Sequence, residues 1–317
     1  MVKLVIQIPC FNEEKVLGIT LDNLPKTIAG IDSIEILVID DGSRDRTVEV
    51  ARAHGVRHVV SFPQNRGLAA AFSAGLNAAL ALGADIIVNT DADNQYRAED
   101  IPTLIAPILA AEAEIVVGAR PIAEVEHFSF VKKLLQRTGS WVVRLVSGTD
   151  IADAPSGFRA FSRHAAMRMN VFGDFSYTLE TIIQAGQRNM AIASVPIRVN
   201  PDLRPSRLIR SVPGYVLRSS LIIFRVLIVY RPLRFFAFLS LPFLVVGAIL
   251  ILRFLYFYAI GDGDGRVQSL QIGTFSEMVG VFLAAFGVLA DLVAANRRLL
   301  EDLKVRLWEV EDRLGKR

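Results

Sequence analysis

Through residue 210, apolar positions fall into short strand-like runs that alternate with longer stretches of helical spacing. Residues 2–8 read as a first strand stopping at Pro9. Asn12 then stands where it can cap a helix whose first turn carries Glu13 and Glu14, the charge sign a helix N-terminus favours. A second strand at 34–39, ending in Ile39, runs into Asp40, Asp41, Gly42 and Ser43, and a short third near 56–61 leads to Asn65, Arg66 and Gly67. The alanine-rich segment 68–82 has the small side chains of a helix packed closely on a sheet. The next apolar run drives into Asp91, Ala92, Asp93, Asn94 and Gln95. A further helix precedes a strand at 115–120 that ends in Arg120, and residues 176–188 and 191–195 supply one more helix and strand before Pro196. Such alternation predicts an α/β domain with a mostly parallel sheet and helices on both faces.

Beyond residue 210 the pattern changes. Pro213 and Pro232 bracket an amphipathic segment with Arg218 and Arg225 on one helical face, which predicts an interfacial helix over 211–232. Residues 235–260 are long and apolar enough to span a bilayer, interrupted by Pro242 and Arg253. After a Gly/Asp turn at 261–265 a second span is expected near 272–293, with Glu277 and Asp291 near its ends, so that 233–295 forms a membrane region. Seven arginines between 204 and 234, with Arg297 and Arg298, lie on one side of this pair, while the connecting turn is acidic. The domain at 1–210 and the tail at 296–317 are therefore both expected on the cytoplasmic side. In that tail Leu300, Leu303, Leu307, Val310 and Leu314 recur at steps of three and four, the spacing either of a self-association helix or of an amphipathic tail resting on the membrane.

Composition narrows the class. At 52% hydrophobic residues and a mean hydropathy of +0.40, the chain is too apolar for an ordinary soluble enzyme, and a net charge of +3 is too small to imply nucleic acid. The single cysteine, Cys10, excludes a disulfide framework and a cysteine-based zinc site. His54 and His58 have helical ligand spacing, but Gly55 sits between them at a helix-to-strand junction, so no metal is expected there. The chain opens directly on a strand-like run, which predicts no cleavable signal. No Gly-x-Gly-x-x-Gly turn follows the first strand, which disfavours a dinucleotide-dependent oxidoreductase.

The candidate chemistry lies at strand ends. If the run from residue 86 stays extended, Asp91, Asp93 and Gln95 converge on one side of the chain, an oxygen-rich corner suited to Mg²⁺ or Mn²⁺. Alone, Asp-Ala-Asp reads as a solvated turn, and the surrounding motifs have to argue against that. Asp40-Asp41-Gly42 likewise reads either as a turn or as acidic residues facing the crevice where open α/β sheets bind ligands. An amphipathic helix at 128–148 bears Lys132, Lys133, Arg137 and Arg144, and the loop Asp153-Ala154-Pro155-Ser156-Gly157-Phe158-Arg159 follows it.

Taken together, Pro9-Cys10-Phe11-Asn12-Glu13, Asp40-Asp41-Gly42-Ser43, Asn65-Arg66-Gly67, Asp91-Ala92-Asp93-Asn94-Gln95, Gly118-Ala119-Arg120 and Ser156-Gly157-Phe158-Arg159 resemble glycosyltransferase family 2. More narrowly, the chain is similar to the dolichyl- and polyprenyl-phosphate sugar synthases, the dolichol-phosphate mannosyltransferase type with two C-terminal membrane helices. The resemblance implies a GT-A fold, a nucleotide sugar donor, a divalent metal, Mg²⁺ or Mn²⁺, and transfer of a hexose to a lipid phosphate with inversion. It implies that Pro9, Phe11 and Glu13 line the nucleotide pocket, with Phe11 in place of the usual tyrosine, and that Ile39, Asp41 and Asp40 hold base and ribose. Asp91, Asp93 and Gln95 match its metal and diphosphate motif, with Ala92 between the two carboxylates, and Arg120 matches an arginine at its phosphate centre. Its later Arg…Ser-Lys element appears as Arg204-Pro205-Ser206-Arg207, shorter and with arginine for lysine.

A phosphate monoester acceptor is already anionic at neutral pH, since its second pKa is about 6, so a dedicated base is optional. The expected needs are a cation under the departing diphosphate and positive side chains for the acceptor, Arg120 with Arg137 or Lys133. The donors expected are GDP-mannose or UDP-glucose. A processive polysaccharide synthase is the alternative within the superfamily, but Gln-x-x-Arg-Trp is missing, the only tryptophans being Trp141 and Trp308. A silent membrane scaffold that binds nucleotide sugar is a third reading, opposed by the intact acidic motifs.

Overall fold

Among the described residues, seven strands form one sheet in the order β3-β2-β1-β4-β6-β5-β7. They are β1 (Lys3–Cys10), β2 (Ser33–Asp40), β3 (His58–Ser61), β4 (Ile86–Asn89), β5 (Ile115–Ala119), β6 (Arg159–Ser162) and β7 (Ile192–Pro196). This computed structural model describes residues 1–121, 143, 144, 147–171, 177–201, 224, 228, 232–261 and 266–315. All neighbours are parallel except β6, which runs antiparallel to both β4 and β5. The α/β architecture expected from the alternating pattern, a mostly parallel sheet with helices on both faces, is present.

Strand alternation divides the core in two. Leu4, Ile6 and Ile8 of β1 and Ile86 and Val88 of β4 point to one face, under α1 (Leu17–Asp22), α2 (Thr47–Ala53) and α4 (Ile101–Leu109). Val5, Leu37, Ile39 and Ile87 point to the other, under α3 (Leu68–Ala81), α5 (Arg163–Arg168) and α6 (Tyr177–Gln187). The small residues Ala71, Gly75 and Ala79 bring α3 down onto β1 and β2, where a Cβ on Gly75 would meet Gln7 Oε1 at 2.4 Å.

Three local expectations are corrected. β1 does not stop before Pro9 but runs on to Cys10. Its odd-numbered residues face β4, and β4 has ended by the level of Pro9, so the missing N–H of Pro9 interrupts no ladder. Asn12 caps no helix. It adopts φ 55°, and its Oδ1 accepts the amide of Arg44 at 2.8 Å, while α1 begins only at Leu17. Finally, extended backbone ends at Asn89, and residues 91–94 form a turn with Asn94 at φ 57°, so strand alternation does not set the directions of Asp91, Asp93 and Gln95.

Contacts divide the chain into two units, Met1–Ile222 with Lys304–Arg317, and Ile223–Leu303. The second unit contains α7 (Pro232–Ala259) and most of α8 (Val267–Gly315), both long and apolar enough to cross a membrane. Only 11% of the apolar window of α7 and 17% of that of α8 is buried, unlike the core hairpin of a soluble protein. The two helices meet through Gly273, Gly280 and Gly287, spaced seven apart. Added Cβ atoms there would strike Ile251, Leu244 and Phe236 at 2.9, 2.6 and 2.9 Å, so small residues permit close approach. Ser276 Oγ donates to the Phe243 carbonyl at 2.7 Å. α8 is one unbroken helix from the second span into the leucine-repeat tail. Arg137, Lys132, Lys133, Arg204, Arg207 and most of the expected interfacial segment 211–232 lie outside the described residues.

Candidate active site

Every motif singled out in the described chain reaches one edge of the sheet. Cys10 pairs with Asp40 and Gln7 with Asn89, so β1, β2 and β4 deliver residues 11–14, 41–46 and 90–95 side by side. The reversal of β6 brings its first residue to the same edge, because Arg159 pairs with both Asn89 and Val117. Loop 153–158 thereby enters the crevice facing the Asp91 turn.

The acidic end of β2 is a structural clamp. Buried Asp41 accepts hydrogen bonds from Asn65 Nδ2 at 2.9 Å and from the amides of Arg66 and Gly67 at 2.7 and 2.9 Å. Asp40, also buried, accepts the Ser43 amide at 3.0 Å. Gly42 (φ 71°) lies against the backbone of Gln64, where a Cβ would come within 2.4 Å, so no other residue fits this turn. Glu13 is buried, its amide donating to Thr47 Oγ1 at 2.8 Å, and Phe11 is exposed at the rim. The Ile39 side chain is fully buried in the core, with its Cδ1 near Gly75, whereas Pro9 lies in β1 just below the loops.

The Asp91 turn is built differently. Asp91, Asp93 and Gln95 are partly exposed. Thr20 Oγ1 of α1 donates to the Ala92 carbonyl at 2.8 Å, Asn200 Nδ2 donates to the Asn94 carbonyl at 2.9 Å, and the Gln95 amide donates to Asp93 Oδ1 at 3.2 Å. Opposite stands Gly157, where a Cβ would sit 3.1 Å from both Asp91 carboxylate oxygens and from the Tyr177 hydroxyl. The absent side chain leaves room beside the carboxylate.

A buried polar network holds Gly157 there. Asn89 accepts from Gln7 Nε2 at 2.8 Å and donates through Nδ2 to the Gly157 carbonyl at 2.9 Å and to the Tyr177 hydroxyl at 2.8 Å. The Gly157 amide donates to the Tyr96 hydroxyl at 3.0 Å. Arg159, fully buried, donates to the carbonyls of Ala154, Ser156 and Thr178 at 2.7, 2.8 and 2.7 Å, tying the loop to α6. Burial pulls its pKa down to about 10, offset in part by Tyr177 and Tyr96 beside it, so the side chain stays cationic at neutral pH. Burial pushes Tyr96 up to about 12, with Arg120 opposing and Asp91 reinforcing, and Tyr177 is raised likewise by burial and Asp91. Both phenols are neutral hydrogen-bonding groups.

Arg120 leaves β5 and meets Asp153 at 2.7 Å through Nε and 3.1 Å through Nη2, and Asp153 is fully buried. Burial works against the Arg120 charge, but Tyr96, Asp153 and Asp91 more than offset it and raise its pKa. Asp153, Asn89, Gln7, Tyr96, Tyr177 and Arg159 were not assigned roles from sequence. The available signal was Gln7 and Asn89, polar residues inside otherwise apolar strand runs.

The profile of glycosyl transferase family 2 matches residues 5–169, just over half of the chain. The chain is a family 2 glycosyltransferase. This glycosyltransferase is 30% identical over 215 residues to a UDP-N-acetylglucosamine–dolichyl-phosphate N-acetylglucosaminyltransferase of Methanococcus voltae, covering 60% of the present chain and 83% of the relative. It is 26% identical over 218 residues to an undecaprenyl-phosphate mannosyltransferase of Micrococcus luteus, covering 65% and 88%. In fold it is similar to glucosyl-3-phosphoglycerate synthase of Mycobacterium tuberculosis, solved with Mn²⁺, UDP and glucosyl-3-phosphoglycerate, at a TM-score of 0.55, 23% identity, and coverage of 72% and 79%.

Proposed function

We propose that this glycosyltransferase moves a hexose from a nucleotide sugar to a polyprenyl or dolichyl phosphate, with inversion, using Mg²⁺ or Mn²⁺. The observation that carries the reading is the meeting of the Asp91–Asp93 turn, the space beside Gly157 and the Arg120–Asp153 pair at one sheet edge. The names of the Methanococcus voltae and Micrococcus luteus relatives, both transferases to a lipid phosphate, support the acceptor class. So do two helices able to hold the domain at a bilayer. The basic residues at 204–234 and Arg297 and Arg298 favour a cytoplasmic domain and tail.

The residues fit the metal. Asp91 and Asp93 supply hard oxygen donors one residue apart, Gln95 adds an amide oxygen, and Gly157 keeps the space beside Asp91 clear. Among the described residues no three His, Cys, Asp or Glu side chains converge, so the protein's charged share would be these two carboxylates, as suits a cation completed by water and substrate phosphate. When bound, the cation supplies neutralisation of the negative charge on the leaving diphosphate.

The chain's own residues do the rest. Arg120 holds a fixed positive charge in the crevice, kept in place by Asp153 along its Nε and Nη2 edge, and would grip an acceptor phosphate oxygen without losing a proton. An acceptor with a second pKa of about 6 arrives ionised at neutral pH, so no side chain has to remove a proton. Phe11 at the rim and Asp40 and Asp41 beside it would border the nucleoside, and Arg137, Arg204 and Arg207 would add charge toward the lipid phosphate.

The test is glycolipid formation by the full chain in lipid nanodiscs, with nucleotide sugars, polyprenyl phosphate and Mg²⁺ or Mn²⁺. Product that disappears with EDTA and returns with added metal is expected. Full turnover by Asp93→Ala, or transfer to inorganic phosphate as efficient as to the lipid, would sink the reading.

A further inference from the structure

The tail of the long helix α8 has two faces, and among the described residues one of them is packed on the domain. In its tail Val305 is buried, Trp308 packs on the α3–α5 side of the domain core, and Lys304 Nζ donates to Asn170 Oδ1 at 2.8 Å. Away from that face Leu300, Leu303, Leu307 and Val310 are each more than half exposed. With Leu300 at heptad position a, these residues alternate a, d, a, d, and Leu314 continues the series. The covered residues Lys304, Val305 and Trp308 fall at e, f and b. The docked face and the open seam therefore do not compete.

The length of α8 decides what covers the seam. The helix runs 49 residues without a break. A helix rises about 1.5 Å per residue, so crossing a hydrocarbon core of about 30 Å takes about 20 of them. The turns past Arg297 and Arg298 exceed what one crossing needs, and in them Lys304, Val305 and Trp308 engage the domain. Copies inserted in one membrane share one orientation, which places their tails parallel. In a parallel pairing, position g of one helix faces the next e of its neighbour, and here that pair is Arg306 with Glu311, opposite in charge and repeated by symmetry.

We propose that the tail of α8 is a homo-oligomerisation element, pairing in parallel with a second copy of this chain through Leu300, Leu303, Leu307 and Val310. Cys10 is the sole cysteine and is buried, so an introduced thiol reports alone. In native membranes treated with a mild oxidant, Leu303→Cys and Leu307→Cys should give disulfide-linked chains about tenfold more abundantly than Val305→Cys on the docked face. Arg306→Glu should lower the oligomer fraction of the otherwise unaltered full chain in detergent, and Arg306→Glu with Glu311→Arg should restore it. A monomeric mass for the wild-type chain in nanodiscs, equal cross-linking at 303 and 305, or a charge swap that rescues nothing would overturn the proposal. Monomers whose tail leucines react with a lipid-embedded photoprobe would assign the seam to the bilayer and overturn it as well.

Discussion

Two acidic turns stand side by side on the same sheet edge, and they do opposite things. Asp41 is buried and holds the Asn65–Gly67 loop by three hydrogen bonds. Asp91 and Asp93 remain partly exposed, on a turn fastened mainly through the carbonyls of Ala92 and Asn94. In the first turn the carboxylate is the fastener. In the second, Thr20 and Asn200 fasten backbone carbonyls, Asp93 also accepts the Gln95 amide, and both carboxylates stay partly exposed. Sequence motifs of nearly the same composition are separated by where their hydrogen bonds go.

The sharpest way to break this contrast is a paired substitution. Asp91→Asn should lower glycosyltransfer by about 10²–10³-fold, the range for removing one electrostatic element of a site, with a smaller loss of stability than Asp41→Ala brings. Asp41→Ala should instead cost about 2–4 kcal/mol of stability, because three hydrogen bonds to a charged acceptor are lost while the exposed Asn65 and Arg66 recover part of theirs from water. Chemical denaturation beside an initial-rate assay reads both. If Asp41→Ala were fully stable and Asp91→Asn unfolded, the two roles would be reversed.

Gly157→Ala sharpens the second turn. A methyl group 3.1 Å from both Asp91 oxygens must displace the carboxylate or the loop. The expected outcome is an about tenfold rise in the metal concentration giving half-maximal rate, equivalent to about 1.4 kcal/mol. An unchanged metal titration would mean that Gly157 does not shape the Asp91 surroundings.

The smallest effect concerns pH. Tyr96 is raised from 10.0 to about 12 in the folded state. Its contribution to stability is therefore fully present below pH 10 and is lost as pH rises toward 12. Denaturation midpoints followed from pH 9 to 12 should decline, and in Tyr96→Phe the decline should be shallower, with an offset of about 1 kcal/mol from the hydrogen bond lost to Gly157.

The sheet was legible because β1, β2 and β4 alternate between two buried faces, and runs such as Ile86-Ile87-Val88 have few other places to go. The placement of the motif loops was legible from their position at strand ends. What joins them was not. Asp153 meets Arg120 across 33 residues, and nothing in a local pattern couples them. Arg159 sits inside a quoted motif, yet its bond to the Thr178 carbonyl depends on α6 arriving beside β6. Extended chain past Asn89 and a turn were both open for this run, and the turn at Asn94 decides between them, since an αL residue leaves little trace in a sequence when it is not glycine.

One consequence of the reversed strand β6 concerns variation within the scaffold. β5 and β6 are adjacent and antiparallel, with Val117 facing Arg159, so everything from 120 to 158 is topologically a single hairpin connection. Its two feet are fixed by sheet register whatever lies between them. That connection is not independent of the core: within it Val143 and Ile151 are buried and the backbone of Ser147 lies against Gly186 of α6, so replacing its interior while keeping Arg120 and residues 153–158 would have to preserve that packing.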